Sequence, residues 1–546
     1  MSDTPHPAHP PRQWLPPALS ALVFALLSLA ILPYPGLQDD EVIFTAPIYQ
    51  PTGTLFSVKA FGTHIPLMII GYLGTLKTWL YAAILTFIPP SRWSVRLPMV
   101  MVGMITICLT WQWTRRVAGL RAAAFTVALL ATHSIFILTN TFDWGPVALQ
   151  HLLLMGGLLA IQCWLESDAK WQLALGFFLW GLGLWDKALL IWPLIGLAAA
   201  TLCVYPRQLR AHLRRVPPAL ALAALLLGAL PLVSYNVARR GDTAAANTRL
   251  TFREIPRKLL ELQNTLDGSV LLDAMVATTP GPLAQPADRL PERASISLRN
   301  ITGSWPSNWM LAATVLALAI LALPGTSAHR PLLAFLLIVI AVTWLQMASN
   351  AGTGGGAHHV ILLWPFPSVF VGIALAAAAE GKPRWMPRAS LGVLTALVCV
   401  NLLNTNDYVA NLALNGAVGG WTDAFYRLAG AVAPYRSRPI GIVDWGYLNG
   451  LRMMYDGDLN ATVMSDYLLN PHSSDEDRSQ FTKRLNAPDA IFIRHTDENE
   501  IFKGVNEKMR TQESSLGLTE KVERVVHDNE GRQIFEIFTL SPIEKR

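Results

Sequence analysis

The stretch YPGLQDDEVIF (residues 34–44) sets Asp39, Asp40 and Glu41 in a row just after an apolar run of membrane length. A further acid, Asp143, lies in NTFDWGP (140–146), between two more apolar runs. Basic and imidazole side chains recur at comparable places: Lys59, His64, Lys77, Lys187, and the pair His358–His359 behind the glycine-rich run NAGTGGGA. Carboxylates at a water-facing rim can take a proton from a hydroxyl, and gathered cations can hold a phosphate together with the charge it gains on leaving. Each residue alone has a plainer reading. The acids also serve as solvated flanking charges, Asp143 as a turn former before glycine, Lys77 as a snorkelling side chain, and Asp186–Lys187 as a local neutral pair. What favours chemistry is that all of them fall on one side of the membrane once the chain is threaded through it.

That threading follows from composition. The chain has 546 residues, of which 52% are hydrophobic and 15% charged, and its mean hydropathy is +0.35. Soluble domains carry about 25% charged residues, so the chain reads as a mainly α, polytopic membrane protein. Apolar stretches long enough to span lie near 14–33, 97–114, 122–139, 146–165, 171–185, 188–205, 217–235, 308–323, 331–349, 360–379 and 389–404. Segment 66–88 is long enough as well but contains Lys77, and is read as a helix lying at the outer surface. With eleven spans and the N-terminus inside, Arg12, Arg115, Arg116, Arg121, Lys170, Arg207, Arg210, Arg214, Arg215, Arg330, Lys382, Arg384 and Arg388 all face the cytoplasm. Counting 66–88 as a span would send most of them outside.

On this threading the first run is a retained span, and residues 1–404 form a transmembrane domain with outer loops 34–96 and 236–307. Residues 405–546 form an extracytoplasmic α/β domain, with strand-like PIGIVDW, AIFIRH and RQIFEIFTL alternating with helical 474–486 and 505–515. Loop 236–307 holds one amphipathic helix, FREIPRKLLELQNTL. The first 404 residues carry a net charge of +11 and the remainder −5, so the basic balance records membrane-flanking loops, and nucleic acid is not an expected partner. Cys108, Cys163, Cys203 and Cys399 all sit in apolar runs without CxxC spacing, and HExxH, P-loop and strand-borne GxGxxG motifs are missing.

The chain resembles the bacterial multi-spanning C-type glycosyltransferases, in particular family 39 proteins related to dolichyl-phosphate-mannose-protein mannosyltransferases and lipid A aminoarabinose transferases. The carriers are DDE after the first span, HIPL (64–67), WSVRLPMVMVGMITICLTWQWTRRVAGLRAAAFTVALLATHSIFIL (93–138), NTFDWGPVALQHLLL and GLGLWDKALLIWPL, in family order across roughly residues 15–235. The resemblance implies that Asp40 and Glu41 are the catalytic acidic pair of the first outer loop. It implies that Asp143 is the functional acid of the second, and that Lys187 is a basic residue of the site. His64 stands where relatives commonly have a lysine, so Lys59 or Lys77 would supply the fixed charge near a donor phosphate; His358–His359 falls where relatives often have a basic residue.

The implied donor is a sugar on a polyprenyl phosphate, transferred at the outer face of the bacterial inner membrane to a lipid, protein or glycan hydroxyl. Asp40 would act as general base and the anomeric configuration would invert. Asp143 would orient the acceptor or hold a divalent cation with Asp40; the sequence leaves both open and implies no other cofactor. A flippase or secondary transporter of lipid-linked sugars is the alternative, but its charges would line mid-helix depth. A membrane scaffold acting through its outer domain, with Asp444, Trp445 and Tyr447 in VDWGYLNG, is a third.

Overall fold

The computed structural model describes residues 11–214, 218–247, 249–283, 286–322, 328–380, 384–470 and 473–543. Arg215 and Lys382, two of the bases assigned to the cytoplasmic side, lie outside these. The chain is a multi-pass membrane protein, mainly helical. Five helices are long and apolar enough to cross a bilayer: Arg92–Thr132, Ala148–Ser167, Arg330–Ala348, Ala357–Ala379 and Met386–Asn415. The number rises to seven if the bent pairs Ala188–Val204 with Pro206–Leu213 and Pro218–Gly228 with Leu230–Ala238 are each one span. Leu15–Ile31 and Met310–Ala322 are apolar but shorter.

The longest helix, Arg92–Thr132, contains the second expected span and the first part of the third, which continues in Ser134–Thr141. It starts at a Ser91–Ser94 capping box and breaks at Gly119, where φ 86° and ψ 174° leave helical space at little cost to a residue without Cβ. It packs against Leu15–Ile31, Ala148–Ser167 and Phe366–Ala379. The last of these is buried along its whole length and forms the centre of the bundle.

The loop after helix Leu15–Ile31 departs from the expected surface helix. Residues 66–70 and 73–74 are strand, because Ile65, Ile69 and Ile70 favour a pleated surface and Gly71 and Gly74 interrupt any helix. Strands β1 (Phe56–Ala60), β2 (Thr63–Ile70) and β3 (Leu73–Gly74) form an antiparallel sheet. Phe61 and Gly62, both at positive φ, make its tight first turn. Only Leu76–Phe87 is helical. A Cβ on Gly74 would lie 2.0 Å from the Trp185 carbonyl oxygen, so glycine lets this sheet approach the break between helices Lys170–Asp186 and Ile191–Val204.

Loop 236–307 is more helical than expected. The amphipathic segment forms Ile255–Asp267, and Asp242–Asn247, Leu272–Met275 and Leu290–Thr302 accompany it. Helix Met386–Asn415 runs into the C-terminal region, where β4 (Ile440–Ile442), β5 (Ala461–Val463), β6 (Ile491–His495), β7 (Leu518–His527) and β8 (Gln533–Pro542) form one sheet. Its order is β5-β4-β6-β8-β7, parallel across β5-β4-β6 and antiparallel beyond. The core under it is continuous with that under the loop after helix Leu15–Ile31: Val42 and Phe44 share a cluster with Phe425, Tyr447 and Leu451.

Candidate functional site

The acidic triplet forms a single helical turn, Asp39–Val42, capped by the Gln38 side chain accepting from the Glu41 amide at 3.1 Å. Successive residues on a helix point about 100° apart, so three adjacent acids face three environments. Glu41 points into the bundle, where its oxygens accept from Arg96 Nε at 2.6 Å and Nη2 at 2.9 Å, with both side chains fully buried. The remaining Arg96 donors reach the carbonyls of Leu32 (2.7 Å), Pro35 (3.0 Å) and Gly36 (2.7 Å). All five Arg96 donors are therefore spent on holding the loop, and both Glu41 oxygens are buried and paired with Arg96.

Asp39 points toward the C-terminal region and accepts from the Asn449 backbone amide (3.0 Å) and side-chain amide (2.8 Å). Burial, reinforced by the charge of Asp40, raises its carboxyl to about 6, against the Asn449 donors and Arg452. Asp40 takes the third direction. The Trp144 indole donates to its Oδ2 at 3.2 Å, and the Gln38 side chain is its other partner. Burial raises its pKa, opposed by Trp144, Gln38 and the positive charge of Lys187. A carboxylate held by neutral donors, with its proton affinity raised by burial, is better suited to accept a proton than an exposed one.

Asp143 closes the neighbouring turn in left-handed conformation, φ 46°. Its Oδ1 accepts from the Val147 and Ala148 amides, each at 2.7 Å, at the start of helix Ala148–Ser167. Its Oδ2 pairs with Lys77 Nζ at 2.6 Å, and both side chains are buried. Lys77 also donates to the Glu41 carbonyl at 3.2 Å and lies 4.1 Å from the Phe44 ring centroid. Lys77 is thus neither snorkelling nor free for phosphate, and this ion pair fastens the Asp143 turn and helix Leu76–Phe87 to the acidic loop.

Lys187 occupies the extended break after helix Lys170–Asp186. Its ammonium donates to the Gly145 carbonyl at 2.5 Å and contacts that of His358 at 3.4 Å. Gly145 has φ +69°, and a Cβ there would meet His358 Cδ2 at 3.1 Å, with Lys187 Nζ 3.5 Å away. The turn therefore brings the second acidic loop, Lys187 and the histidine pair together only because residue 145 is glycine. The His358 ring lies 4.6 Å from that of Trp144 and 4.0 Å from that of His359. Among the described residues, His358 Nδ1 and both His359 ring nitrogens are buried with no hydrogen-bond partner, and such groups are either satisfied by ligand or water, or costly.

Asp40, Trp144, Lys187 and His358 therefore form one group. Lys59 and His64 sit elsewhere, as exposed partners across β1–β2, with His64 Nδ1 3.3 Å from Ser57 Oγ. Three further residues contribute that the sequence alone does not single out: Trp144, Arg96 and Lys258. The last is buried, with its ammonium donating to the carbonyls of Met347 (3.1 Å) and Thr353 (2.8 Å) and to that of Asn350, so it ties helix Ile255–Asp267 to the glycine-rich run. An arginine near the start of an apolar helix was the available signal for the Arg96 pair.

A cation shared by Asp40 and Asp143 is disfavoured, because the Lys77 ammonium already neutralises the Asp143 carboxylate at 2.6 Å from Oδ2 and Oδ1 accepts two backbone amides. Among the described residues, the group of three acids whose oxygens lie within 4.8 Å of one another is Asp423, Asp528 and Glu530 of the C-terminal region. There Arg532 already pairs with Asp528 at 2.5 Å and with Glu530 at 3.3 Å.

Residues 74–235 match the sequence model of the dolichyl-phosphate-mannose-protein mannosyltransferase family. The whole chain is similar in fold to ArnT from Cupriavidus metallidurans bound to undecaprenyl phosphate, at 14% identity and a TM-score of 0.55, covering 96% of this chain and 97% of that one. ArnT in the apo state gives 14% identity and 0.54 with the same coverage. The Archaeoglobus fulgidus oligosaccharyltransferase tethered to an acceptor peptide gives 13% identity and 0.50, covering 89% of this chain and 69% of that one. No protein of curated function matches by sequence. The resemblance read from the motifs is thus borne out, by the family match across the second to seventh expected spans and by fold along the rest of the chain.

Proposed function

We propose that this chain is an inverting glycosyltransferase of the bacterial inner membrane, moving a sugar from a polyprenyl phosphate to an acceptor hydroxyl at the extracytoplasmic face. The observation that carries the reading is the division of labour within the acidic triplet. Asp39 and Glu41 are committed to protein partners, while Asp40 faces the Trp144 indole and the Lys187–His358 group. The family match and the fold shared with ArnT support a lipid-phosphate donor, since one of those ArnT structures holds undecaprenyl phosphate.

In the proposed reaction the acceptor oxygen attacks the anomeric carbon while the carbon–phosphate oxygen bond breaks. Asp40 takes the hydroxyl proton, a role worth about 10²–10⁴-fold in rate. The leaving phosphate gains negative charge that Lys187 and the donors of the histidine pair would stabilise in a partly dehydrated site. With one base and direct displacement, configuration inverts. Asp143 and Lys77 act through the turn they hold. The rival transporter reading would place its charges in a path through the bundle, whereas those gathered here lie at the ends of the helices and in the loops that join them.

The test is incubation of the purified chain in lipid vesicles with polyprenyl-phosphate sugars, following release of polyprenyl phosphate and the anomeric configuration of the product. Release with inversion is expected. Movement of intact donor across the bilayer without release would replace this reading with the transporter one.

A further inference from the structure

The C-terminal region touches the acidic loop at three places. The Gly36 amide donates to the Trp421 carbonyl at 2.7 Å, and a Cβ on Gly36 would lie 2.0 Å from the Thr422 carbonyl oxygen. Asn449 holds both oxygens of Asp39. Gly457, at φ +81°, lets the chain pass against Tyr49, whose Cβ a methyl there would meet at 2.8 Å. A further path reaches Asp40 from its other side: the Trp421 ring packs edge-on to Trp144, at 5.8 Å and 87°, and Trp144 is the indole that donates to Asp40.

We infer that the C-terminal domain is a working part of the transferase site, and that Asn449 is a positioning residue that sets the direction of Asp40 by holding its neighbour Asp39. The inference rests on the proposed role of Asp40 as base. Two adjacent residues on one helical turn cannot rotate independently. Asp39, pinned by a backbone and a side-chain donor, fixes the azimuth at which Asp40 leaves the turn. Without that grip the loop loses its anchor on the side opposite the Glu41–Arg96 pair. The groups facing Asp39 are Asp40 on its own turn and Arg452 on the Asn449 helix, while Glu41 is turned away onto Arg96. Loss of the side-chain bond leaves Asp40 mobile while the donor site, built from Lys187 and the histidines, stays in place. The expected signature is therefore a fall in kcat with little change in KM for the donor.

The experiment uses the full chain in lipid vesicles with polyprenyl-phosphate sugar. Asn449→Ala is expected to lower kcat about tenfold, the scale of a hydrogen bond to a charged group, with donor KM within about twofold of wild type. Asn449→Asp sets two carboxylates face to face; its loss is expected to be larger at pH 8 than at pH 6, where the pair shares a proton. Adding Asp39→Asn to Asn449→Asp exchanges donor and acceptor and is expected to recover turnover to within about threefold of wild type. That isosteric double variant keeps the test sharp if Asn449→Ala fails to fold. Wild-type kcat in Asn449→Ala, or no recovery in the exchanged pair, overturns the inference while leaving Asp40 as base. Absence of polyprenyl-phosphate release by wild type overturns the proposed function, and this inference with it.

Discussion

Substitution of Glu41 or Arg96 separates holding the site from performing its chemistry. Arg96→Met removes both bonds to Glu41 and three more to the carbonyls of Leu32, Pro35 and Gly36, all buried. Removing one partner of a buried ion pair costs about 3–5 kcal/mol, because the other charge is left without compensation. Each orphaned buried carbonyl adds about 1 kcal/mol or more. Arg96→Met is therefore expected to cost at least about 5 kcal/mol, comparable with the whole stability of many proteins. Glu41→Gln keeps the shape and one acceptor but leaves the buried Arg96 charge uncompensated, and should cost about 3–5 kcal/mol. Glu41→Met together with Arg96→Met removes both charges, so it should be less destabilised than Arg96→Met alone. The assay is thermal unfolding of purified protein in detergent, followed by intrinsic tryptophan fluorescence. If Glu41→Gln unfolds within a degree of wild type and loses turnover as completely as a variant of Asp40, Glu41 is acting on substrate and the division of the triplet is wrong.

Asp39 makes stability depend on pH. Its folded-state pKa, about 6, lies above the ordinary 3.8, so the folded state binds the extra proton between those values and stability falls as pH rises from about 4 to about 6. Asp39→Asn should remove that component, worth up to about 3 kcal/mol, seen as the difference between wild-type and variant melting temperatures across the range. Lys187→Met should lower turnover about 10²-fold or more by removing charge stabilisation of the leaving phosphate, with Lys187→Arg recovering part of it, both read as polyprenyl phosphate release. Turnover should persist in excess chelator, because the Lys77 ammonium already neutralises the Asp143 carboxylate that would complete a cation site with Asp40; loss restored by Mg²⁺ or Mn²⁺ would contradict this.

The large features of the fold were legible because they follow from bulk physics. Apolar length and basic loops carried the membrane reading, and alternating runs such as AIFIRH carried the C-terminal strands. The segment 66–88 misled because its length suits a helix, while Ile69, Ile70, Gly71 and Gly74 act through local backbone preference that length does not register. Within the site, acids and cations could be named by type and position. Their roles could not, because those depend on direction: adjacent Asp39, Asp40 and Glu41 diverge only once a single helical turn is formed. Asn449 lies 410 residues from Asp39, and nothing in its local sequence distinguishes it from any other polar residue on a short helix. Lys77 and Asp143 were each visible as charges, but the pairing that buries them both is a product of tertiary packing.

The central claim is that Asp40 is the proton acceptor of the transfer. It is tested most directly by the turnover of Asp40→Asn against wild type, with polyprenyl-phosphate sugar in lipid vesicles and melting temperature measured in parallel. A fall of about 10²–10⁴-fold with an unchanged melting temperature is the predicted result. Wild-type turnover by folded Asp40→Asn would contradict it.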